Sequence, residues 1–339
     1  ATSNTPAVAS QSPAAAGDQG PRRWTASDAA SRADAASKAI SSARTAAAAE
    51  EARLREQLLD TSQLDFGQVL GSGGFGAVYR GHYRGEEVAI KKLHIADGQV
   101  SAAQIQEFRK EVENLQALRH PRLVSFIGAA LIESGGTDGA SRNPPSLCIV
   151  TEFMPNGSLH ALLHTRKEPL SWAQRLSMAV QVAEGVVFLH GRSPPFVHRD
   201  LKSLNAVLDF DLNVKLCDFG LTQSMEKTHI SRRDNEGGSP RYMAPEIFDA
   251  RGKITEKVDV WALGCLAVEI LTGRLPHEEC NSIQQVMNKT LVSKQMPFVD
   301  WTGISEDLKV LAELSFEFHP ARRIDAAQVL EGLQGMTQR

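Results

Sequence analysis

Apolar positions change their period several times along the chain, and each change predicts an element. From Leu64 the spacing is strand-like, and Ala77-Val78-Tyr79-Arg80-Gly81 runs through the turn-like Arg84-Gly85-Glu86 into Val88-Ala89-Ile90-Lys91, which predicts a hairpin. A helical period follows. With Phe108 set to zero at about 100° per residue, Ile105, Val112, Leu115 and Leu118 fall in an arc from roughly +60° to −80°. This predicts an amphipathic helix opened by a capping box, Ser101-Ala102-Ala103-Gln104, and ended before Pro121. Leu147-Cys148-Ile149-Val150 predicts a strand, stopped at Pro155-Asn156-Gly157. Trp172, Leu176, Ala179, Val180, Ala183, Val187 and His190 recur at the spacing of one face of a long helix. Ala206-Val207-Leu208 and Val214-Lys215-Leu216 read as short strands joined by a polar turn. Val258 to Leu271 is apolar around nearly its whole circumference, which predicts a helix buried on all sides and closed by Gly273.

Two stretches lack such periods. Residues 1 to 60 are mixed in Ser, Pro, Gly and Ala, then Ala-dominated from Ala26 through Ala52, with only Ile40, Leu54, Leu58 and Leu59 as apolar bulk. So little burial cannot offset ordering entropy, so a disordered extension is expected, with a frayed helix near Ala46 to Leu59. Glu133 to Ser146, rich in Gly, Pro, Asn and Asp, predicts a surface loop between two strands.

Composition narrows the field. A chain of 339 residues, 42% hydrophobic, is long enough for a sizeable core. A formal net charge of −3 provides no basic surplus for nucleic acid or anionic membrane, so neither partner is expected. No uninterrupted apolar run reaches the roughly 18 residues of a membrane span, and the start shows no signal-peptide core. Cys148, Cys217, Cys265 and Cys280 lack C-x-x-C or zinc-type spacing. Reduced thiols in the cytoplasm or nucleus are expected, without disulfides or a zinc site.

The chemistry starts from a misplaced charge. Glu111 falls near about −60° on the helical wheel, inside the apolar arc, where a carboxylate is costly unless paired. Lys91 ends a strand that otherwise reads as core, so the two are expected to pair. The glycine-rich Gly71-Ser72-Gly73-Gly74-Phe75-Gly76-Ala77-Val78 lies in a hairpin, unlike a dinucleotide-binding turn, and lacks the GK[ST] of a P-loop. Its glycines let backbone N–H groups approach phosphates. Farther on stand His198-Arg199-Asp200-Leu201-Lys202-Ser203-Leu204-Asn205 and Asp218-Phe219-Gly220. The hairpin between them would bring Asn205 and Asp218 together.

These motifs, with Ala244-Pro245-Glu246, resemble the protein kinase superfamily from Leu64 to Leu333. The resemblance implies an α+β, two-lobed fold. A small five-stranded antiparallel lobe with one main helix would span 61–155, a larger, mostly helical lobe 156–336, and ATP would lie between them. It implies that Asp200 orients the substrate hydroxyl and accepts its proton, that Lys202 contacts the transferred phosphate, and that Glu111 positions Lys91 on the ATP α- and β-phosphates. Asn205 and Asp218 would hold magnesium. The nucleotide would lie under Gly71, Ser72, Gly73, Gly74, Phe75 and Gly76, against Val78, Ala89 and Val207. Thr151, Glu152 and Met154 would form the hinge, with Thr151 guarding the rear pocket, and Cys217 would stand nearby as a packing residue.

Asp259 matches a residue that braces the catalytic loop, Arg323 one that pairs with Glu246, and Ser239 one that bonds Asp200 and Lys202. Lys202 and Gly238-Ser239-Pro240-Arg241-Tyr242-Met243-Ala244-Pro245-Glu246 are similar to the tyrosine-kinase-like group that includes the Raf and mixed-lineage kinases, which is mostly serine/threonine-specific. That implies a protein Ser/Thr substrate. An upstream activating kinase is expected to phosphorylate the loop at Thr228 or Ser231, with Arg199 binding the phosphate. Ile324 and Gln223 depart from the family pattern. A pseudokinase scaffold, tyrosine or dual specificity, and a small-molecule kinase are the competing readings.

Overall fold

A computed structural model describes residues 58–73, 76–93, 102–132, 146–224, 239–249 and 253–336. Most of the N-terminal extension, the 133–145 loop, Gly74 and Phe75, Ser101 of the expected capping box, and Thr228 and Ser231 lie outside them.

Five strands form the sheet of the smaller lobe: β1 (Leu64–Gly73), β2 (Gly76–Tyr83), β3 (Glu86–Leu93), β4 (Phe126–Ile132) and β5 (Ser146–Glu152). Their order is β1-β2-β3-β5-β4, antiparallel throughout. Alternation puts Val88 and Ile90 of β3 with Ala130, Cys148 and Val150 in one buried cluster, closed by Leu64 and Tyr83. At the outer strand, Leu58 forms a parallel bridge with Ala129, and Leu59 N–H donates to Ala129 O at 2.8 Å. Leu59 packs so closely that a Cβ on Gly128 would stand 2.4 Å from its Cδ2.

The helix α1 (Ala102–Ala117) lies by β4. Phe108, Val112 and Leu115 are buried on it, and Leu118 just beyond its end, but Ile105 is 36% exposed and Asn114 is buried. The packed stripe is therefore rotated from the expected arc, with Ile105 out and Asn114 in. Asn114 is drawn in by the hydrogen bond that its side-chain amide donates to Thr222 O.

The larger lobe contains α2 (Trp172–His190), α3 (Pro245–Phe248), α4 (Lys257–Thr272), α5 (Ile283–Met287), α6 (Glu306–Ser315) and α7 (Ala326–Gly335). Ser171 and Gln174 form a capping box that starts α2. Its burial extends beyond the expected stripe to Met178, Gln181, Val182, Val186 and Leu189, because α4, α7 and β8 (Val214–Leu216) cover different sides. Every position of α4 from Val258 to Leu271 is buried. Gly264 permits that packing, since a Cβ there would meet Ser315 Cβ at 2.7 Å. Gly273, at φ +78°, ends α4 as expected. Among the described residues, no helix is long and apolar enough to cross a membrane.

Four short strands form two further pairs. β7 (Ala206–Leu208) pairs with β8, and β6 (Phe196–Val197) with β9 (Gln223–Ser224).

Arg323 and Glu246 meet inside the larger lobe, with Nη1–Oε1 at 2.7 Å and Nη2–Oε2 at 3.1 Å. The arginine is fully enclosed over the Trp261 ring and also donates to Lys257 O. A bidentate pair of this kind is costly to break from one side. Glu246→Gln should lower stability by about 3–5 kcal/mol in urea denaturation, because it leaves a buried guanidinium uncompensated. A change below 1 kcal/mol would mean that the carbonyl ligands alone compensate Arg323.

Candidate active site

Pairing of β2 with β3 and of β3 with β5 fixes Lys91 in mid-sheet, opposite Val78 and Ile149. Its ammonium lies 2.8 Å from Glu111 Oε1 on α1 and 2.8 Å from Asp218 Oδ1 after β8. The pair expected from the helical wheel is thus brought together and becomes a triad. Burial alone would lower the lysine's pKa, yet the Glu111 and then the Asp218 charges raise it well above its ordinary value. Burial would raise the Asp218 carboxyl, yet the Lys91 charge and hydrogen bond hold it below the usual carboxylate range. Gly220 sits against this triad. A Cβ there would come within 3.3 Å of Lys91 Nζ and 3.5 Å of Asp218 Oδ1.

The loop before β7 presents Asp200 from a rigid base. Asp259 of α4, 1% exposed, accepts His198 N–H at 2.7 Å, Arg199 N–H at 2.8 Å and His190 Nε2 at 3.0 Å. Burial would push its carboxyl up, but the His190 hydrogen bond and charge, with His198, hold it low. Asp200 Oδ2 accepts Lys202 Nζ at 2.6 Å and Asn205 Nδ2 at 2.9 Å. Oδ1 is buried and has no hydrogen-bond partner among the described residues. One oxygen is tied down; the other is an unused acceptor in the cleft. The Asp200 and Lys202 bonds run to each other and to Asn205, not to Ser239 as the resemblance implied.

The β7–β8 hairpin gathers the candidate metal ligands. Cys217 N–H donates to Asn205 O at 2.9 Å, which sets Asn205 beside the backbone that leads into Asp218. Asn205 gives its side-chain N–H to Asp200, so its side-chain oxygen is the atom left to face a ligand, and Asp218 keeps the oxygen not on Lys91. An amide oxygen and a carboxylate oxygen are hard donors of the kind that magnesium takes. Burial, then the Asp218 charge, push the Cys217 thiol up to about 12, as fits a packing residue.

Gly71, Ser72, Gly73 and Gly76 sit on β1 and β2, and Gly76 adopts φ +153°, where a Cβ would meet Lys92 O at 2.2 Å. Gly74 and Phe75 lie outside the described residues. Ala89 pairs with Thr151 across β3 and β5. Val207, on β7, bridges to Ser158, and Met154 is buried where β5 gives way to the larger lobe. Glu152 turns its side chain to the protein: its carboxylate takes Lys215 Nζ at 2.8 Å to each oxygen and Ser125 N–H at 2.6 Å. Its backbone N–H is also taken, by Ser125 O at 3.0 Å.

Sequence reasoning overlooked two residues. Asn114 Nδ2 donates to Thr222 O at 3.0 Å, tying α1 to the segment after Asp218. Its place beside the apolar arc, one turn after Glu111, was the available signal. Arg241, two residues after Ser239, donates to the carbonyls of Pro276, His277 and Cys280. It helps to wall a groove of about 410 Å³, which also takes in Lys202, Leu204, Pro240 and Ile283.

Comparison with known proteins agrees with this geometry. The family described as protein tyrosine and serine/threonine kinase matches residues 64–333. A probable serine/threonine-protein kinase of Dictyostelium discoideum is 39% identical over 70% of this chain and 24% of its own length. The serine/threonine-protein kinase CTR1 of Arabidopsis thaliana is 40% identical over 66% of this chain and 26% of its own. The dual specificity protein kinase shkC of Dictyostelium discoideum is 33% identical over 80% and 51%. The chain spans about a quarter of the length of the first two.

The triad makes a signed pH prediction. Asp218 titrates below its ordinary value, so its pairing stabilises the fold above about pH 4 and is lost as pH falls through the depressed value. Lys91 titrates above its ordinary value, so its contribution is complete below about pH 10 and is lost as pH rises through the raised value. In Lys91→Met, two carboxylates face each other unpaired. Its stability deficit against wild type, from urea denaturation across a pH series, should be largest between about pH 6 and 9 and shrink below about pH 4. A deficit independent of pH would mean that the lysine acts through packing alone.

Proposed function

The chain belongs to the protein tyrosine and serine/threonine kinase family, and from that premise we propose that it transfers the γ-phosphoryl group of ATP to a serine or threonine hydroxyl of a protein. The observation that carries the reading is the buried, unpartnered Oδ1 of Asp200 beside the Lys91–Glu111–Asp218 triad. The nucleotide takes the space between the lobes, whose division we set at residues 155 and 156. Its base meets the backbone of Thr151, Glu152 and Met154, and its rings pack on Val78, Ala89 and Val207. Its phosphates lie beneath the glycine-rich turn.

Asn205, through its amide oxygen, and Asp218, through its free carboxylate oxygen, would hold magnesium, which supplies charge neutralisation at the β- and γ-phosphates. Lys91, held by Glu111, meets the α- and β-phosphates. Asp200 aligns the substrate hydroxyl with Oδ1 and receives its proton while the hydroxyl oxygen bonds to the γ-phosphorus and the bridging P–O bond breaks, releasing ADP. Lys202, 2.6 Å from Asp200, leans toward the transferred group and balances its charge. The groove beside Lys202 and Ser239 suits a polypeptide substrate better than a small molecule.

Lys202 also favours serine or threonine over tyrosine, as it does in the tyrosine-kinase-like group. Phosphorylation of Thr228 or Ser231 by an upstream kinase would recruit Arg199, which adjoins Asp200 and adopts φ +70°. The free thiols Cys148, Cys217, Cys265 and Cys280 favour a cytoplasmic or nuclear setting.

The test is transfer of radiolabelled phosphate from Mg–ATP to a generic basic protein, with phosphoamino-acid analysis. Asp200→Ala should lower turnover by about 10²–10⁴-fold while ATP affinity changes little. Label on Ser or Thr that disappears in the variant is the expected result. Label on both Tyr and Ser would establish dual specificity, and undiminished transfer by Asp200→Ala would overturn the assignment.

A further inference from the structure

Away from the cleft, the turn after α4 brings three metal-ligating side chains together. His277, Glu279 and Cys280 each offer a donor atom, and these atoms lie within 4.8 Å of one another. His277 and Cys280 are 2% and 1% exposed, while Glu279 faces solvent. The imidazole is held at one nitrogen, with Nε2 3.3 Å from Thr290 Oγ1. Its other nitrogen, Nδ1, is buried and has no hydrogen-bond partner among the described residues. Leaving such an atom alone is unfavourable, and it is a natural place for an ion.

The backbone that presents these groups is braced from outside. His277 N–H donates to Pro297 O at 2.8 Å, Cys280 N–H to His277 O at 2.9 Å, and Arg241 grips the carbonyls of the same turn. A bound ion would therefore find its ligands already converged. Ligand atoms stand about 2.0–2.3 Å from zinc, so donors within 4.8 Å of one another can enclose it with small side-chain rotations.

We propose that His277, Glu279 and Cys280 form a binding site for a divalent transition metal of the zinc type. Nδ1, a carboxylate oxygen and a thiolate sulfur are the ligands, with water in the fourth position on the solvent side. One nitrogen, one sulfur and one oxygen suit zinc and exclude magnesium and calcium, which take oxygen donors. Binding releases the Cys280 thiol proton to solvent. Thr290 Oγ1 accepts the Nε2 proton and so fixes the tautomer that leaves Nδ1 free to ligate. Lys289 pairs with Glu279 and is the cation that the metal must compete with. The cysteine pattern concealed this site, because the ligands come one of each kind from four consecutive residues and not from paired cysteines. The site takes no part in phosphoryl transfer, so its test and that of the kinase reading fail independently.

The experiment uses the full chain, stripped with a chelator and titrated with Co²⁺ and then with Zn²⁺ against a chromogenic competitor. One equivalent of Co²⁺ should produce thiolate-to-cobalt charge-transfer absorption that Zn²⁺ abolishes. Cys280→Ser should lose the band while Cys148→Ala keeps it. Thr290→Val should weaken affinity about 10–100-fold, the range for loss of an orienting partner. Lys289→Met, which removes the competing cation, should tighten binding, and Glu279→Gln on the surface should weaken it. Absence of the band in wild type, its persistence in Cys280→Ser, or unchanged affinity in both Lys289→Met and Glu279→Gln would each overturn the proposal.

Discussion

One ammonium group, Lys91 Nζ, sets the constraint on which the cleft depends. A charge at the inner end of a core strand cannot remain alone, and its two partners come from α1 and from the segment after β8. Those elements are far apart in sequence, so the strand, the helix and the hairpin must reach one point together. Asn114 adds a second tie from α1 to Thr222, and Gly220 keeps the meeting point free of a side chain. Displacement of α1 would thus strip the Glu111 carboxylate and the Thr222 carbonyl of their partners at once and leave Lys91 to Asp218 alone.

The larger lobe uses the same device for a different purpose. Asp259 and Glu269 lie inside α4, the most deeply buried helix, and each is satisfied by groups from other segments. Asp259 receives two backbone N–H groups and His190, while Glu269 receives the Tyr242 hydroxyl at 2.8 Å and meets His164 at 2.9 Å. One buried carboxylate therefore fixes the loop of Asp200, and the other fixes the segment of Ser239 and Tyr242. The helix is a ruler against which the loop of Asp200 and the segment of Ser239 and Tyr242 are both registered.

Much of this was legible because buried charges stand out against apolar periods. Glu111 within the arc of α1 called for a partner, while Asp259 and the motif residues came from the family resemblance. The exchange of Ile105 for Asn114 was hidden because a helical wheel ranks residues by apolarity, and Asn114 earns its burial through a carbonyl more than 100 residues away. Gln181 belongs to the same class, since its Oε1 accepts Val214 N–H at 2.7 Å and pins β8 to α2. Glu152 read as a hinge residue, but its side chain joins Lys215 to the start of β4, a contact that local pattern cannot express. The cluster around His277 depends on a turn held open by Arg241, and no short-range period encodes such a turn.

Leu58 and Leu59 matter for a reason unrelated to catalysis. β4 is one of the two edge strands of its sheet, and its free backbone groups would otherwise be a template for pairing with another chain. The Leu58 bridge to Ala129 and the Leu59 amide bond occupy part of that edge, while the Leu59 side chain roofs Gly128. A fragment trimmed to the first full strand at Leu64 would keep every residue of the cleft and yet expose an adhesive border, so its solubility would fall while the cleft stayed whole.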